Sequence, residues 1–118
     1  MVVLSNAKPG REAEFNTWYD SHAADVLSRL SGFARAQRFE LAPSQVEDGA
    51  QFQYLALYEV PEDQLETAQQ AILGQRAERA EAIAAGREPV ITVSDTLEGP
   101  HHTWFFTALG DEMLPDQD

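Results

Sequence analysis

The sequence predicts an α+β domain whose elements follow the order strand, helix, strand, strand, helix, strand. Three features support this order: two long segments carry apolar residues at helical spacing, shorter segments alternate apolar and polar residues, and Pro-Gly or Ser-Gly pairs mark turns. The 118 residues are enough for one domain, which we expect to occupy residues 1–110. Residues 111–118 are acidic and contain Pro115, so we expect them to form a flexible tail.

The first half of the chain contains the first strand, the first helix and the second strand. Val2 to Ser5 is predicted to be a short buried strand. Arg11 to about Leu30 is predicted to be a helix, because its apolar residues recur at helical spacing and acidic residues occupy its first turn. Ser31-Gly32 ends this helix, and Phe33 to Leu41 has the composition of a second strand.

The second half of the chain completes the pattern. Gln51 to Val60 alternates clearly and is predicted to be a strand, and Pro61 opens a helix that continues to about Ala85. The connector that follows contains a short strand-like piece, Val90 to Val93, and His101 to Leu109 is predicted to be the last strand. This order is the split βαβ pattern of the ferredoxin-like fold, in which two helices cover one side of an antiparallel sheet.

The predicted third and fourth strands carry large apolar side chains on both of their faces. Two helices can cover only one face of the sheet, so the other face is expected to meet a second sheet. The simplest arrangement is a twofold homodimer in which two sheets pack face to face. The sequence therefore predicts a dimeric α+β barrel.

Composition excludes several classes of function. The net charge of −12 repels phosphate backbones and anionic lipids, which argues against nucleic-acid or membrane partners. The chain has no cysteine, so disulfides, thiolate chemistry and cysteine-ligated metals are excluded. The N-terminus lacks the basic start and long apolar run of a signal peptide, and a cytoplasmic location is expected.

A histidine lies within the apolar stripe of the predicted first helix. Helical spacing places His22 between Phe15 and Trp18, where an unperturbed pKa near 6.5 suits a general acid or base. Asp25, three residues on, could orient or charge-pair the imidazole, and Tyr19 could donate a proton or hydrogen bond to a substrate. The alternative is a core histidine bonded to a backbone carbonyl.

Four segments carry a resemblance to a known family: Glu14 to His22 (EFNTWYDSH), Asp25 to Leu27 (DVL), Gly32 to Phe39 (GFARAQRF) and Tyr54 to Glu59 (YLALYE). Together they resemble the EthD-like branch of the dimeric α+β barrel superfamily. Two residues, rather than the three usual in that branch, separate the Trp-Tyr pair from the histidine. The resemblance implies a homodimer with one pocket per subunit between the sheet and the helices.

The resemblance also suggests a range of activities, because relatives include cofactor-free monooxygenases, polyketide cyclases, muconolactone isomerases and haem-degrading oxygenases. We expect a small enzyme without cofactor or metal that acts on an aromatic or polyketide-like molecule, with His22 as general acid/base assisted by Tyr19 and Asp25. The alternatives are a non-catalytic small-molecule-binding dimer and a haem-binding monooxygenase. The predicted second helix has no histidine, which argues against haem ligation as in those relatives.

Seven residues are candidates for substrate binding: Asn6, Trp18, Arg38, Tyr54, Tyr58, His102 and Trp104. Asn6 could face a pocket from the end of the first strand or simply form a turn, and Arg38 could bind a carboxylate or form a structural ion pair. Tyr54, Tyr58 and Trp104, with Phe52 and Phe106, could line a cavity or form the core between two sheets, and Trp18 could serve packing alone. Because His101 and His102 are adjacent on a strand, their side chains diverge and cannot readily chelate one metal.

Overall fold

The computed structural model describes residues 1–116 and confirms the predicted order of strands and helices. A single turn of 3-10 helix, Glu62–Gln64, precedes the second helix. The bounds of the elements are β1 (Val2–Ser5), α1 (Glu12–Arg29), β2 (Arg35–Glu40), β3 (Tyr54–Glu59), α2 (Leu65–Ala84) and β4 (His102–Trp104). None of the helices in this described part of the chain has the length and hydrophobicity needed to span a bilayer.

The four strands form one antiparallel sheet in the order β2-β3-β1-β4, which is consistent with the ferredoxin-like arrangement. The centre of the sheet is fixed by β1, in which Val3 lies opposite Ala56 of β3 and Thr103 of β4. Both helices contribute buried residues, such as Phe15 of α1 and Ile72 of α2, to one cluster with Val3 and Ala56. The helices therefore cover the same face of the sheet.

Alternation along β3 separates the helix-covered face from the opposite face. Tyr54, Ala56 and Tyr58 are buried beneath the helices, whereas Leu57 points the other way and is 45% exposed. Residues directly opposite one another in an antiparallel pair share a face, so the register assigns the remaining strands. We call the uncovered side the open face; its apolar and aromatic positions are Val2, Leu4, Phe39, Leu55, Leu57, His102 and Trp104.

The last predicted strand is much shorter than expected. Alternation predicted a strand over His101 to Leu109, but β4 covers only His102–Trp104. The strand β4 pairs with β1, and the first residue of β1, Val2, lies opposite Trp104. Because β1 does not extend further, the residues after Trp104 lie beyond the end of the strand with which β4 forms its backbone hydrogen bonds. Phe106 consequently stands exposed.

Within the described residues, the connector after α2 and the C-terminal tail contain no regular secondary structure at the positions considered in the sequence. The strand-like piece Val90 to Val93 forms no strand, although Ile91 is buried and anchors the connector to the core. Of the predicted tail, residues 111–116 are exposed and form neither helix nor strand, whereas residues 117 and 118 lie outside the described residues.

Gly32 allows the chain to leave α1 directly against α2. Its φ of +99° lies in the left-handed region, and a Cβ placed on it would come within 2.9 Å of the Ala68 Cα and Cβ. Ala68 of α2 is fully buried. The close approach of Gly32 to Ala68 therefore sets the spacing between the end of α1 and the start of α2.

We predict that Gly32→Ala lowers the free energy of unfolding by about 2 kcal/mol or more, because it adds a backbone clash to an unfavourable φ. Gly10→Ala is the matched control, since Gly10 has a φ of +84° but no atom within 4 Å of the added Cβ. The control should cost about 1 kcal/mol. Urea unfolding of both variants measures the difference, and equal losses would show that the contact with Ala68 is unimportant.

Candidate functional site

A cleft of about 90 Å³ lies between the helix-covered face of the sheet, α1 and α2. Its floor is formed by buried residues of the sheet and of α2, including Val3, Tyr58 and Ile72. His22 and Trp18 of α1 form one wall, half-buried. The other polar residues that line the cleft are Ser5, Tyr19, Gln75, Arg76, Arg79, Thr92, His101 and Thr103.

The His22 ring is held by two aromatic neighbours on its own helix. It stacks on Trp18 with ring centroids 4.7 Å apart and meets the edge of Tyr19 at 5.4 Å. Within the described residues, neither the buried Nδ1 of His22 nor the buried Nε1 of Trp18 has a hydrogen-bond partner. An unsatisfied buried polar atom costs about 1–3 kcal/mol, so a polar ligand that supplied partners would be favoured here.

Burial is the main influence on the protonation of His22. Desolvation lowers the pKa of His22, and the positive charges of Arg79 and His101 lower it further. The Thr92 backbone and the Asp25 carboxylate oppose this shift, but burial dominates. His22 is therefore neutral near pH 7 and able to accept a proton.

Asp25 influences His22 by charge alone and does not orient its ring. In the described chain the Asp25 carboxylate makes no hydrogen bond to His22; its nearest basic group is Arg29, with Nε 3.9 Å from Oδ1. The predicted orienting role therefore receives no support from the geometry. The predicted charge pairing survives only as a weak effect that raises the pKa of His22.

Tyr19 and Tyr58 bring two phenol groups to the same cleft. Both side chains are buried, and burial raises the pKa of each; the neighbouring Tyr19 raises that of Tyr58 further. Both hydroxyl groups therefore remain protonated at neutral pH, and a hydrogen bond joins them, which raises the pKa of Tyr58 and partly offsets the effect of burial on Tyr19. The predicted proximity of Tyr19 to His22 is confirmed by the ring contact between them.

Arg38, predicted as a substrate ligand or an ion pair, joins β2 to α1. Its guanidinium donates to Asn16 Oδ1 at 2.7 Å and to Asp20 Oδ1 at 2.9 Å, and its Cζ lies 4.6 Å from the centroid of the Tyr19 ring. Its side chain is only 17% exposed and does not line the cleft. Arg38 therefore forms the structural ion pair rather than a substrate contact. It packs against the Tyr19 ring without lining the cleft.

Two further predicted substrate ligands lie away from the cleft. Both ends of the Asn6 amide are used, because Nδ2 donates to the Gln51 carbonyl at 2.9 Å and Oδ1 accepts from the Gln53 N–H at 2.8 Å. Asn6 therefore neither faces the cleft nor forms a local turn; it ties the end of β1 to the segment that leads into β3. Tyr54 packs against Phe15 with ring centroids 4.7 Å apart and does not line the cleft.

His102 and Trp104 lie on the opposite side of the sheet from the cleft. Their rings stack on the open face with centroids 5.0 Å apart, and Phe52 contacts His102 at 5.4 Å. The strand register places Trp104 on the face opposite to Tyr58, so the two side chains cannot line one cavity within the subunit. His101, which was not among the predicted substrate ligands, lines the cleft instead.

Sequence reasoning missed the contribution of α2 to the cleft. Arg76 and Arg79 line it, and neither has an acidic side chain three or four positions away on the helix. In a chain with 20 acidic residues, such isolation is a signal that the sequence alone contains. Within residues 1–116 no cluster of three or more His, Asp or Glu side chains is placed to hold a metal.

Comparison with known proteins adds no relative to this picture. No family model, no curated protein and no solved structure matches the chain. Membership of the EthD-like branch therefore stays a prediction from the motifs.

We predict that His22 titrates below pH 6.5 in the folded protein, because burial disfavours the imidazolium form. Histidine ring NMR signals followed against pH measure this directly, with the His22→Gln spectrum providing the assignment. Because the unfolded chain binds this proton more readily, stability contributed by neutral His22 is complete above pH 6.5 and is lost as pH falls through the lower, folded-state value. A midpoint at or above 6.5 would contradict the prediction.

Proposed function

We propose that the protein is a small enzyme that uses no cofactor and transfers protons with His22 as general acid/base. The observation that carries the proposal is a neutral imidazole in an aromatic cleft, with an Nδ1 that finds no hydrogen-bond partner among residues 1–116. A histidine that is neutral at the working pH can act as a base when the substrate, rather than water, occupies the position next to its free ring nitrogen. The substrate is an aromatic or polyketide-like molecule, because the cleft is walled by Trp18 and Tyr19.

The reaction begins with removal of a proton from carbon next to a carbonyl group. His22 takes the proton, and the electron pair of the broken C–H bond moves onto the carbonyl oxygen to give an enolate. Tyr58 donates to Tyr19 within the phenol pair, so the protonated Tyr19 hydroxyl is the group that can donate a hydrogen bond to that oxygen. The enolate then has four possible fates. If it takes a proton at another carbon, the enzyme is an isomerase, and if it attacks a second carbonyl group, the enzyme is a cyclase. If it expels a leaving group, the enzyme is a lyase, and if it reacts with dioxygen, the enzyme is a monooxygenase.

The size of the cleft limits the substrate. A closed cavity of about 150 Å³ holds benzene, so a cleft of about 90 Å³ takes in part of one ring system. The remainder of the molecule would extend through the mouth, where Thr92, Val93 and His101 are exposed. The reacting carbon, rather than the whole substrate, is expected to reach His22.

We also propose that the chain is a member of the EthD-like branch and pairs through its open face as a dimeric α+β barrel. The open face exposes Leu57 and Trp104 at 45% and 48%, together with Phe39. Arg35 and Glu59, which form an ion pair, are the only Arg, Lys, Asp or Glu at its strand positions. Two copies with strong net negative charge can therefore approach through this nearly neutral, apolar surface.

The activity is tested by hydrogen–deuterium exchange in D2O, followed by proton NMR on a panel of aromatic ketones, 1,3-diketones and lactones. We predict that the wild-type protein accelerates loss of the proton next to the carbonyl in at least one compound. His22→Gln should slow that exchange by about 100-fold or more, which is the usual contribution of a positioned acid/base group. Exchange reports proton abstraction even when no net product forms.

His102→Gln is the matched control for this experiment, because His102 stands on the open face and does not line the cleft. It should keep the wild-type exchange rate. Exchange that survives in His22→Gln would remove His22 from the mechanism. Compounds that bind in the cleft and never exchange would favour the alternative of a non-catalytic binding protein.

The dimer is tested by sedimentation velocity. We predict that the wild-type protein sediments at twice the 13.1 kDa mass of the chain and that Leu57→Glu gives monomers, because a buried carboxylate at the centre of the open face has no partner. Leu73→Glu is the control, since Leu73 is exposed on α2, away from this face. A wild-type monomer, or a Leu57→Glu dimer, would contradict pairing through the open face.

A further inference from the structure

Among the residues that the structure describes, two arginines differ from the others because they form no ion pair. Within residues 1–116, neither Arg76 nor Arg79 has a carboxylate within 4.0 Å. The arginines that do form such pairs are Arg11, Arg29, Arg35, Arg38 and Arg87. Acidic residues outnumber basic ones by 20 to 8, so a lack of available carboxylates does not explain the difference.

The positions of these two arginines on α2 increase the electrostatic cost. They are three residues apart, so their side chains lie on one face of the helix and repel each other. The residues three and four positions from either arginine include no acid to offset this repulsion. Both side chains line the cleft, so the repulsion is concentrated at the place where a ligand would bind.

The charge of the cleft lining is opposite to that of the whole chain. Arg76 and Arg79 give the lining its positive charge, because His22 and His101, which also line the cleft, have lowered pKa values, and no Asp or Glu among the described residues lines it. Burial lowers the pKa of both histidines, and the arginines add to this, because Arg79 lowers both pKa values further and Arg76 lowers that of His101. Long-range repulsion by the net charge of −12 is screened beyond about 8 Å at physiological ionic strength, so this local charge governs binding.

Polar and apolar parts of the cleft are arranged in depth. Arg76 is exposed and Arg79 half-buried, whereas Val3 and Ile72 form a buried apolar floor. Such a gradient suits a ligand whose charged end stays at the mouth while its apolar body enters. A guanidinium group matches a carboxylate particularly well, since its planar N–H groups can form two parallel hydrogen bonds to the two oxygens.

We infer that the substrate is a small aromatic carboxylate whose anionic group is bound by Arg76 and Arg79 at the mouth of the cleft. This inference rests on the proposed function, for which it names the substrate class. It places the carboxylate at α2 and the reacting carbon at His22 on α1. The two helices therefore have separate tasks, one in recognition and the other in proton transfer.

The test uses two probes with the same ring and ketone but different charge, 4-acetylbenzoate and 4-acetylbenzamide. Binding is measured by NMR titration of the wild-type protein, of Arg76→Gln/Arg79→Gln and of the control Arg87→Gln, whose arginine pairs with Glu78 away from the cleft. We expect the wild-type protein and the control to bind the carboxylate about tenfold or more tightly than the amide. The double variant should lose this preference while its affinity for the amide stays unchanged.

Equal affinity for the two probes, a preference that survives in the double variant, or no binding of either probe at millimolar concentration would overturn the inference. Exchange of the acetyl protons in the same D2O samples separates this result from that of the proposed function. Carboxylate preference without exchange supports the arginine site and counts against His22 catalysis. Exchange that depends on His22, without a preference for the carboxylate, supports His22 catalysis and overturns the arginine site.

Discussion

The contact between Arg38 and the first helix fixes the position of the whole candidate site. Its guanidinium bonds to Asn16 and Asp20 and covers the ring of Tyr19, so it ties β2 to the middle of α1. Trp18 and His22 belong to the same turns of that helix, and a rotation of α1 about its axis would move both rings out of the cleft. A residue expected to touch substrate instead supports the residues that line the cleft.

Unfavourable electrostatic arrangements are concentrated in one place in this molecule. Within residues 1–116, the cleft contains two buried polar atoms without protein partners, a histidine whose pKa is lowered by burial, and two arginines one helical turn apart without paired carboxylates. Elsewhere in the described chain the arginines are ion-paired. Each of these arrangements costs stability in the folded protein, so folding does not explain why they occur together. A binding site does explain it, because a bound ligand can supply the missing hydrogen bonds and negative charge.

Local pattern predicted the elements well but not the interactions between distant ones. The bounds of β1 match the prediction, and those of α1 agree within one residue at each end, because period and capping are local. The length of β4 could not be predicted, since it depends on where its partner begins. Likewise, helical spacing placed Tyr19 beside His22, whereas the faces of His102 and Trp104 depend on the sheet register.

The strict division of the sheet into two faces also limits how this chain can diverge among homologous proteins. Inserting one residue within β3 would shift its alternation and exchange Tyr58 with Leu57, moving a phenol out of the cleft and a leucine into it. Residues 42–50, between β2 and β3, are exposed and belong to no strand, so their number can change without affecting either face. Homologues should therefore align without gaps in β1 and β3 and vary in length between β2 and β3.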